Sequence, residues 1–286
     1  MVSKRKYTNM KIIFLDLDGT LLTTEKTVSP GNLAALRRAA ERGAHVVPCT
    51  GRAFSELPQA IQEQSFFRYA VTINGAQIYD GWEKKVLHRA EIPLEAALAL
   101  VDRLRELPVL LDCYVDGKDY TSRQDYSRID EFITEPALNR IIRRLRRPVE
   151  NLRDFLVQNG RPVQKVQVFF QDETRQRREL ERLAAELPGM SVTSSIPGNI
   201  EINDGAATKG EGLRFLCRHL GVPLEASMAC GDGLNDLDML RAAGVGVAMG
   251  NACREALEAA DYVTDTNDRD GVAKAVERFC LGGEEV

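Results

Sequence analysis

Two carboxylates, Asp16 and Asp18, stand two positions apart at the end of a short apolar run, Ile12 to Leu15. In an extended backbone, residues two apart point to the same side, so both carboxyl groups can reach one small volume. Like charges that close repel and raise one pKa unless a cation lies between them. An acid pair at the tip of a core strand is therefore costly, and the cost marks a site. Further along the chain, polar groups recur where other apolar runs end. Thr50 follows Ala44–Cys49, Asn74 follows Tyr69–Ile73, Lys209 precedes a helix, and Asp232, Asn235 and Asp236 follow Ser227–Cys230. Taken together, several carboxylates call for a divalent cation, and all-oxygen ligation suits Mg²⁺. A lysine and a threonine ahead of helix N-termini suit a phosphate, combining cation, hydroxyl donor and helix dipole. Mg²⁺, a lysine and a free carboxylate oxygen are the equipment for phosphoryl transfer to an aspartate.

The elements that must position these groups can be read from hydrophobic periodicity. Ser29-Pro30 is a helix start, with a hydroxyl N-cap and proline at the first helical position. Leu33, Leu36, Ala39 and Ala40 continue it, and Gly43 closes it. Phe54 to Gln64 reads as helical but disturbed by Pro58. Strands alternating with helices predict an α/β, doubly wound parallel sheet, whose ligands bind beyond the carboxyl ends of its strands. From about Trp82 the texture changes. Ala90–Leu107 reads as a helix, and Val109–Val115 and Asp119–Ser122 as a hairpin turning at Asp116-Gly117. After a polar helical stretch, Lys165–Gln171, Thr174–Leu187 and Met190–Ser195 read as strand, helix and strand. This predicts a second α+β domain over residues 84–194, inserted into a first domain formed by 1–83 and 195–286. Trp82 is expected to pack at the junction. The arginine cluster Arg140–Arg147 reads either as a solvated helix face or as a basic rim that attracts anionic substrate.

The chain has 286 residues, 44% hydrophobic and 28% charged, in the range of an ordinary globular protein large enough for two cores. No apolar run approaches the roughly 18 residues of a membrane helix. A net charge of −4 argues against a dedicated nucleic-acid binder. Six scattered cysteines form no C-x-x-C pair, so they are expected to be reduced, packed thiols of a cytoplasmic protein. His45, His88 and His219 show no ligand spacing. Met1 to Asn9 is polar and reads as a dispensable extension, and Glu284–Val286 as a polar tail.

Four segments carry a resemblance: DLDGT (Asp16–Thr20), CTGR (Cys49–Arg52), TKG (Thr208–Gly210) and GDGLND (Gly231–Asp236). In content and order they resemble the four motifs of the haloacid dehalogenase (HAD) superfamily. The long insert resembles the α/β cap of its Cof-type phosphatases, as do Asn74-Gly75-Ala76, Gly250-Asn251-Ala252 and Asp270-Gly271-Val272-Ala273. The resemblance implies an α+β cap for the insert, a HAD-like Rossmannoid catalytic core for the first domain, and a Mg²⁺-dependent phosphomonoester hydrolase acting on a small phosphorylated metabolite, a sugar phosphate or similar. It implies that Asp16 is the nucleophile and holds Mg²⁺ through its other oxygen. Asp18 would be the general acid and base, with a raised pKa, and would lend its main-chain carbonyl to the metal. Asp232 would complete the metal ligands. Leu17, Thr50, Gly51, Lys209 and Asn235 would bind phosphate, and Asp236 would orient Lys209 or a metal-bound water. Asn74 and Arg52 would support the site, Arg52 either reaching toward the cap or pairing with a core carboxylate. Phosphomutase or phosphotransferase chemistry, and a non-catalytic phospholigand-binding protein, are the alternatives. Neither nucleic acid nor membrane is expected as a partner.

Overall fold

The computed structural model describes residues 10–282; the expectations for Met1–Asn9 and for Glu284–Val286 lie outside these residues. In chain order the strands are β1 (Ile12–Leu15), β2 (His45–Pro48), β3 (Tyr69–Thr72), β4 (Gln77–Asp80), β5 (Lys85–Arg89), β6 (Leu110–Val115) and β7 (Lys118–Ser122). Then come β8 (Arg147–Val149), β9 (Lys165–Phe169), β10 (Met190–Thr193), β11 (Asn199–Asp204), β12 (Ser227–Gly231), β13 (Val245–Ala248) and β14 (Tyr262–Val263).

The first sheet is parallel throughout, in the order β14-β13-β12-β1-β2. The chain leaves β1 toward β2 on one side and returns as β12 on the other, so the topological switch point lies at β1. All four residues of β1 are buried, alternating between two apolar layers. Ile13 and Leu15 pack with Leu36 and Ala39 of the Pro30–Glu41 helix and with Val272 and Val276. Ile12 and Phe14 pack with Leu213, Leu216 and Met239. Each such side chain contributes roughly 1.5–3 kcal/mol relative to exposure, and the packing fixes where the carboxyl end of β1 points. Ser29 caps the first helix as its sequence predicts, accepting the Asn32 amide at 3.1 Å. Pro58 splits the next segment into a single 3-10 turn, Phe54–Glu56, and a short helix, Gln59–Gln62.

β3 extends this sheet only through one bridge, Cys49 to Val71, and otherwise forms an antiparallel meander with β4 and β5. A second sheet runs β10-β11-β9-β6-β7-β8 and is antiparallel except for β7–β8. Strand pairing departs from the expected junctions at both ends. Lys85–Arg89, placed with the cap, pairs with β4. Ile200–Ile202, placed with the core, pairs with β9 and β10. Their apolar alternation looks the same in either sheet, so periodicity alone could not assign them. Trp82 does not pack at the junction: it is 63% exposed, its Nε1 donating to the Ser65 carbonyl and its ring lying under the Arg68 guanidinium.

One face of the second sheet is apolar. Leu111, Cys113, Val115, Val166, Val168, Ile200 and Ile202 pack with Leu100, Leu156 and Leu183 of the helices behind it. The other face carries Asp112, Tyr114, Asp119, Lys165, Gln167 and Glu201, all buried. Most of that polar face looks across a cleft at the end of β1.

Candidate active site

The groups predicted at the strand ends meet at the carboxyl edge of the first sheet. Lys209 is the first residue of the Lys209–Leu220 helix, which Thr208 caps by accepting the Glu211 amide at 3.0 Å. Gly75 lets the 73–75 turn lie against this cap: at φ +105°, a Cβ there would sit 2.2 Å from the Thr208 carbonyl oxygen. So placed, the fully buried Lys209 Nζ donates to Asp16 Oδ1 at 2.6 Å and to Asp236 Oδ1 at 2.5 Å. Asp236 Oδ2 accepts the amides of Asp232 and Gly233, each at 2.9 Å. Asp232 Oδ1 accepts the Thr20 hydroxyl at 2.7 Å. Asn251 Nδ2 holds the Gly19 carbonyl at 2.8 Å, bracing the turn after Asp18.

Carboxylate oxygens of Asp16, Asp232 and Asp236 lie within 4.8 Å of one another. Burial pushes the Asp16 carboxyl well up; Lys209 opposes this and the two other carboxylates add to it. Burial and Asp236 push Asp232 up to about 6. Burial disfavours the Lys209 ammonium, but Asp16 and Asp236 more than restore it and raise its pKa. One ammonium thus faces three crowded carboxylates. The remaining negative charge and the hard oxygen donors fit a divalent cation such as Mg²⁺. Both oxygens of Asp236 are already engaged, one by Lys209 and one by two amides, so Asp236 suits bracing better than ligation.

Asp18 departs from expectation. Its side chain does not join the acidic group but pairs with Arg52, Nε to Oδ2 at 2.7 Å and Nη2 to Oδ1 at 2.8 Å, and with Lys26 at 2.9 Å. Burial pushes its carboxyl up, but the Arg52 guanidinium and the Lys26 ammonium outweigh burial and bring it down to about 2. The expected raised pKa is therefore reversed, because two cations sit on a carboxylate that the sequence pairs only with Asp16. Of the two options for Arg52, the core carboxylate is the one realised.

Thr50 is buried. Its amide donates to the Val71 carbonyl, and its hydroxyl oxygen accepts the Arg52 amide at 3.2 Å. Leu17 is buried in the bend after β1. Asn235 Nδ2 donates to Asn74 Oδ1 at 3.3 Å. Asn74, held at φ 57°, donates through Nδ2 to Glu201 Oε2 at 2.8 Å and lies 3.2 Å from Asn203 Oδ1. Two residues that sequence reasoning missed close the network. Lys165 on β9 donates to Glu201 Oε1 at 2.7 Å and to the Gly51 carbonyl at 3.0 Å. The signal was present in the alternation of Lys165, Val166, Gln167 and Val168, but nothing in it said what the polar side would face.

The cleft between the two sheets has a volume of about 810 Å³. Asp16, Asp18, Thr50, Gly51, Arg52, Asp232 and Asn235 line its floor. The basic-rim reading of Arg140–Arg147 is not realised. The Pro136–Leu145 helix presents Leu138, Ile141 and Leu145 to the cleft, and of the five arginines only Arg146 lines it. Arg143 pairs with Asp130, and Arg140, Arg144 and Arg147 are exposed. None of the three histidines lines this cleft.

Residues 13–276 match the haloacid dehalogenase-like hydrolase family. The chain belongs to that family. Among relatives of this HAD hydrolase, the 5-amino-6-(5-phospho-D-ribitylamino)uracil phosphatase YcsE of Bacillus subtilis is 31% identical, over 98% of this chain and 100% of that protein. The pyridoxal phosphate phosphatase YbhA of Escherichia coli is 30% identical over 93% and 97%. A solved haloacid dehalogenase-like hydrolase from B. subtilis superposes with a TM-score of 0.81 at 29% identity, covering 94% of this chain and 99% of that one. Family and relatives together make this HAD hydrolase a phosphatase. None of its helices among the described residues is long and apolar enough to cross a membrane.

Proposed function

We propose that this protein is a Mg²⁺-dependent phosphomonoester hydrolase that acts on a small phosphorylated metabolite through an aspartyl-phosphate on Asp16. The observation that carries the reading is the position of Asp16 itself. Its carboxylate sits at the end of a central strand, 2.6 Å from a buried lysine and beside Asp232, on the floor of an open cleft. The two relatives, named as phosphatases of small molecules that each bear one phosphomonoester, support the substrate size.

In this reading an Asp16 oxygen attacks phosphorus, a new O–P bond forms and the bond to the leaving alkoxide breaks. Lys209 offsets charge on Asp16 and on the phosphoryl oxygens. The Thr50 hydroxyl, the Leu17 and Gly51 amides and the Asn235 side chain hold those oxygens in place. Asp16, Asp232 and the main-chain carbonyl of Asp18 would hold Mg²⁺, which supplies charge neutralisation at the phosphate. Asp18 gives a proton to the leaving alkoxide, then takes one from the water that attacks phosphorus and releases inorganic phosphate. Paired with Arg52 and Lys26, Asp18 is in its ionised, base form. Its acid step requires that these cations turn away from it, and an arriving phosphate gives both a competing anion.

The test is phosphate release from phenyl phosphate with and without Mg²⁺. Asp16→Asn is expected to lower turnover by roughly a thousandfold or more, and acid-stable trapping of ³²P on the wild-type chain is expected at Asp16. Activity that survives intact in Asp16→Asn would remove the mechanism.

A further inference from the structure

The cap-side wall of the cleft is apolar and acidic, and its cations are already committed. Of the four cations that line the cleft among the described residues, Arg52 and Lys26 both lie on Asp18, at the phosphate end. Arg146 is buried against Asp112 and Asp119, and Lys165 against Glu201 and the Gly51 carbonyl. A second anionic group on a substrate would find no free cation on the cap side among the described residues.

What it would find is Asp119. This side chain is 4% exposed and lines the cleft, yet its Oδ1 has no hydrogen-bond partner among the described residues. Its other oxygen is 3.5 Å from Arg146 Nε, too long for a good hydrogen bond, and that Nε is likewise unpartnered. A buried carboxylate with an unused acceptor costs free energy that a donor can recover. Glu56, also on the cleft wall, spends one oxygen on the Ala53 amide at 2.9 Å. Burial pushes Asp119 up to about 6, and Glu56 adds to the push although Arg146 opposes it. Two carboxylates therefore share a field that a cation or an N–H donor would relieve. Leu138, Ile141 and Leu145 of the Pro136–Leu145 helix line the same cleft and give it an apolar surface.

Resting on the phosphatase reading, we propose that the leaving group carries no second anion, lays an apolar face on the Pro136–Leu145 helix and presents a nitrogen-borne hydrogen-bond donor to Asp119. Asp119 is then the residue that discriminates among phosphomonoesters.

Three aryl phosphates of similar size test this: phenyl phosphate, 4-(aminomethyl)phenyl phosphate and 4-carboxyphenyl phosphate. With the wild-type chain and Mg²⁺, kcat/KM for the aminomethyl ester is expected to exceed that for the carboxyl ester by about tenfold or more. Asp119→Asn is expected to bring that ratio down to about threefold or less. A wild-type ratio near one, or reversed, overturns the proposal. So does an unchanged ratio in an Asp119→Asn chain that still melts cooperatively. Should that variant not fold, Glu56→Gln reads the same ratio from the other carboxylate and is expected to lower it. Failure of all three esters to release phosphate would instead sink the phosphatase reading. Calorimetric binding of the three to Asp16→Asn would then still rank them, and a missing preference for the amine overturns the proposal on its own.

Discussion

Lys165 of the second sheet donates a hydrogen bond to the carbonyl oxygen of Gly51, in the loop assigned to phosphate. The same ammonium holds Glu201, Glu201 holds Asn74, and Asn74 holds Asn235. A buried polar chain thus runs from one sheet to the loop of the other that carries the motif groups. Lys165→Met removes its charged link and leaves Glu201 buried without its cation. It is expected to lower kcat/KM for phenyl phosphate by about tenfold, mostly in kcat, since a charge-assisted hydrogen bond is worth about 1.5–3 kcal/mol. Lys165→Arg is expected to recover part of the loss, which steady-state kinetics on the two variants checks.

Gly19 lies over Asp232. Its φ is +84°, and a Cβ there would sit 2.3 Å from Asp232 Oδ2. Gly19→Ala therefore adds about 1–2 kcal/mol of backbone strain and displaces the carboxylate assigned to the metal. The Mg²⁺ concentration for half-maximal activity is expected to rise about tenfold or more, read from a Mg²⁺ titration of phosphate release.

Mg²⁺ is also expected to stabilise the folded chain. At a hundred times its dissociation constant a bound ion adds about 2.7 kcal/mol. Thermal melts with and without Mg²⁺ should show an upward shift that a chelator reverses. The shift should be largely lost in Asp232→Asn.

The acidic face of the second sheet predicts a pH dependence of stability. Asp119 titrates near 6 in the folded chain against an ordinary 3.8. Because the folded state holds the proton more tightly, its contribution is present in full below about 4 and is lost as pH rises through 6. Asp119→Asn removes that dependence. Between pH 4.5 and 7.5, the melting temperature of the variant is expected to fall less than that of the wild type. Equal slopes would show that Asp119 is ionised throughout this range.

Much of this was legible in the chain because strand-end chemistry is local. Asp16 follows a buried apolar run and Lys209 follows an N-cap, and in such a sheet both must emerge at one edge. Asp232 and Asp236 follow the same rule. The state of Asp18 was not legible, since its partners Arg52 and Lys26 come from a different loop and from a turn whose direction no periodicity specifies. Lys165 and Glu201 were missed for a related reason. Each looks like the solvent side of an amphipathic strand, and only the placement of the second sheet over the first turns that side inward. The exposure of Trp82 has the same origin: a lone tryptophan suggests burial, but here the Arg68 side chain stacks on it at the surface.

The bond between Lys209 and Asp16 joins residues 193 positions apart. The strand that flanks β1 on its return side, β12, is also late in the chain. On the ribosome, the first aspartate emerges long before the lysine and the second carboxylate that give it purpose. A nascent or prematurely terminated product that stops short of Lys209 therefore carries Asp16 without the ammonium that pairs with it. Under the proposed mechanism, a copy truncated before Lys209 is expected to be inert instead of promiscuous.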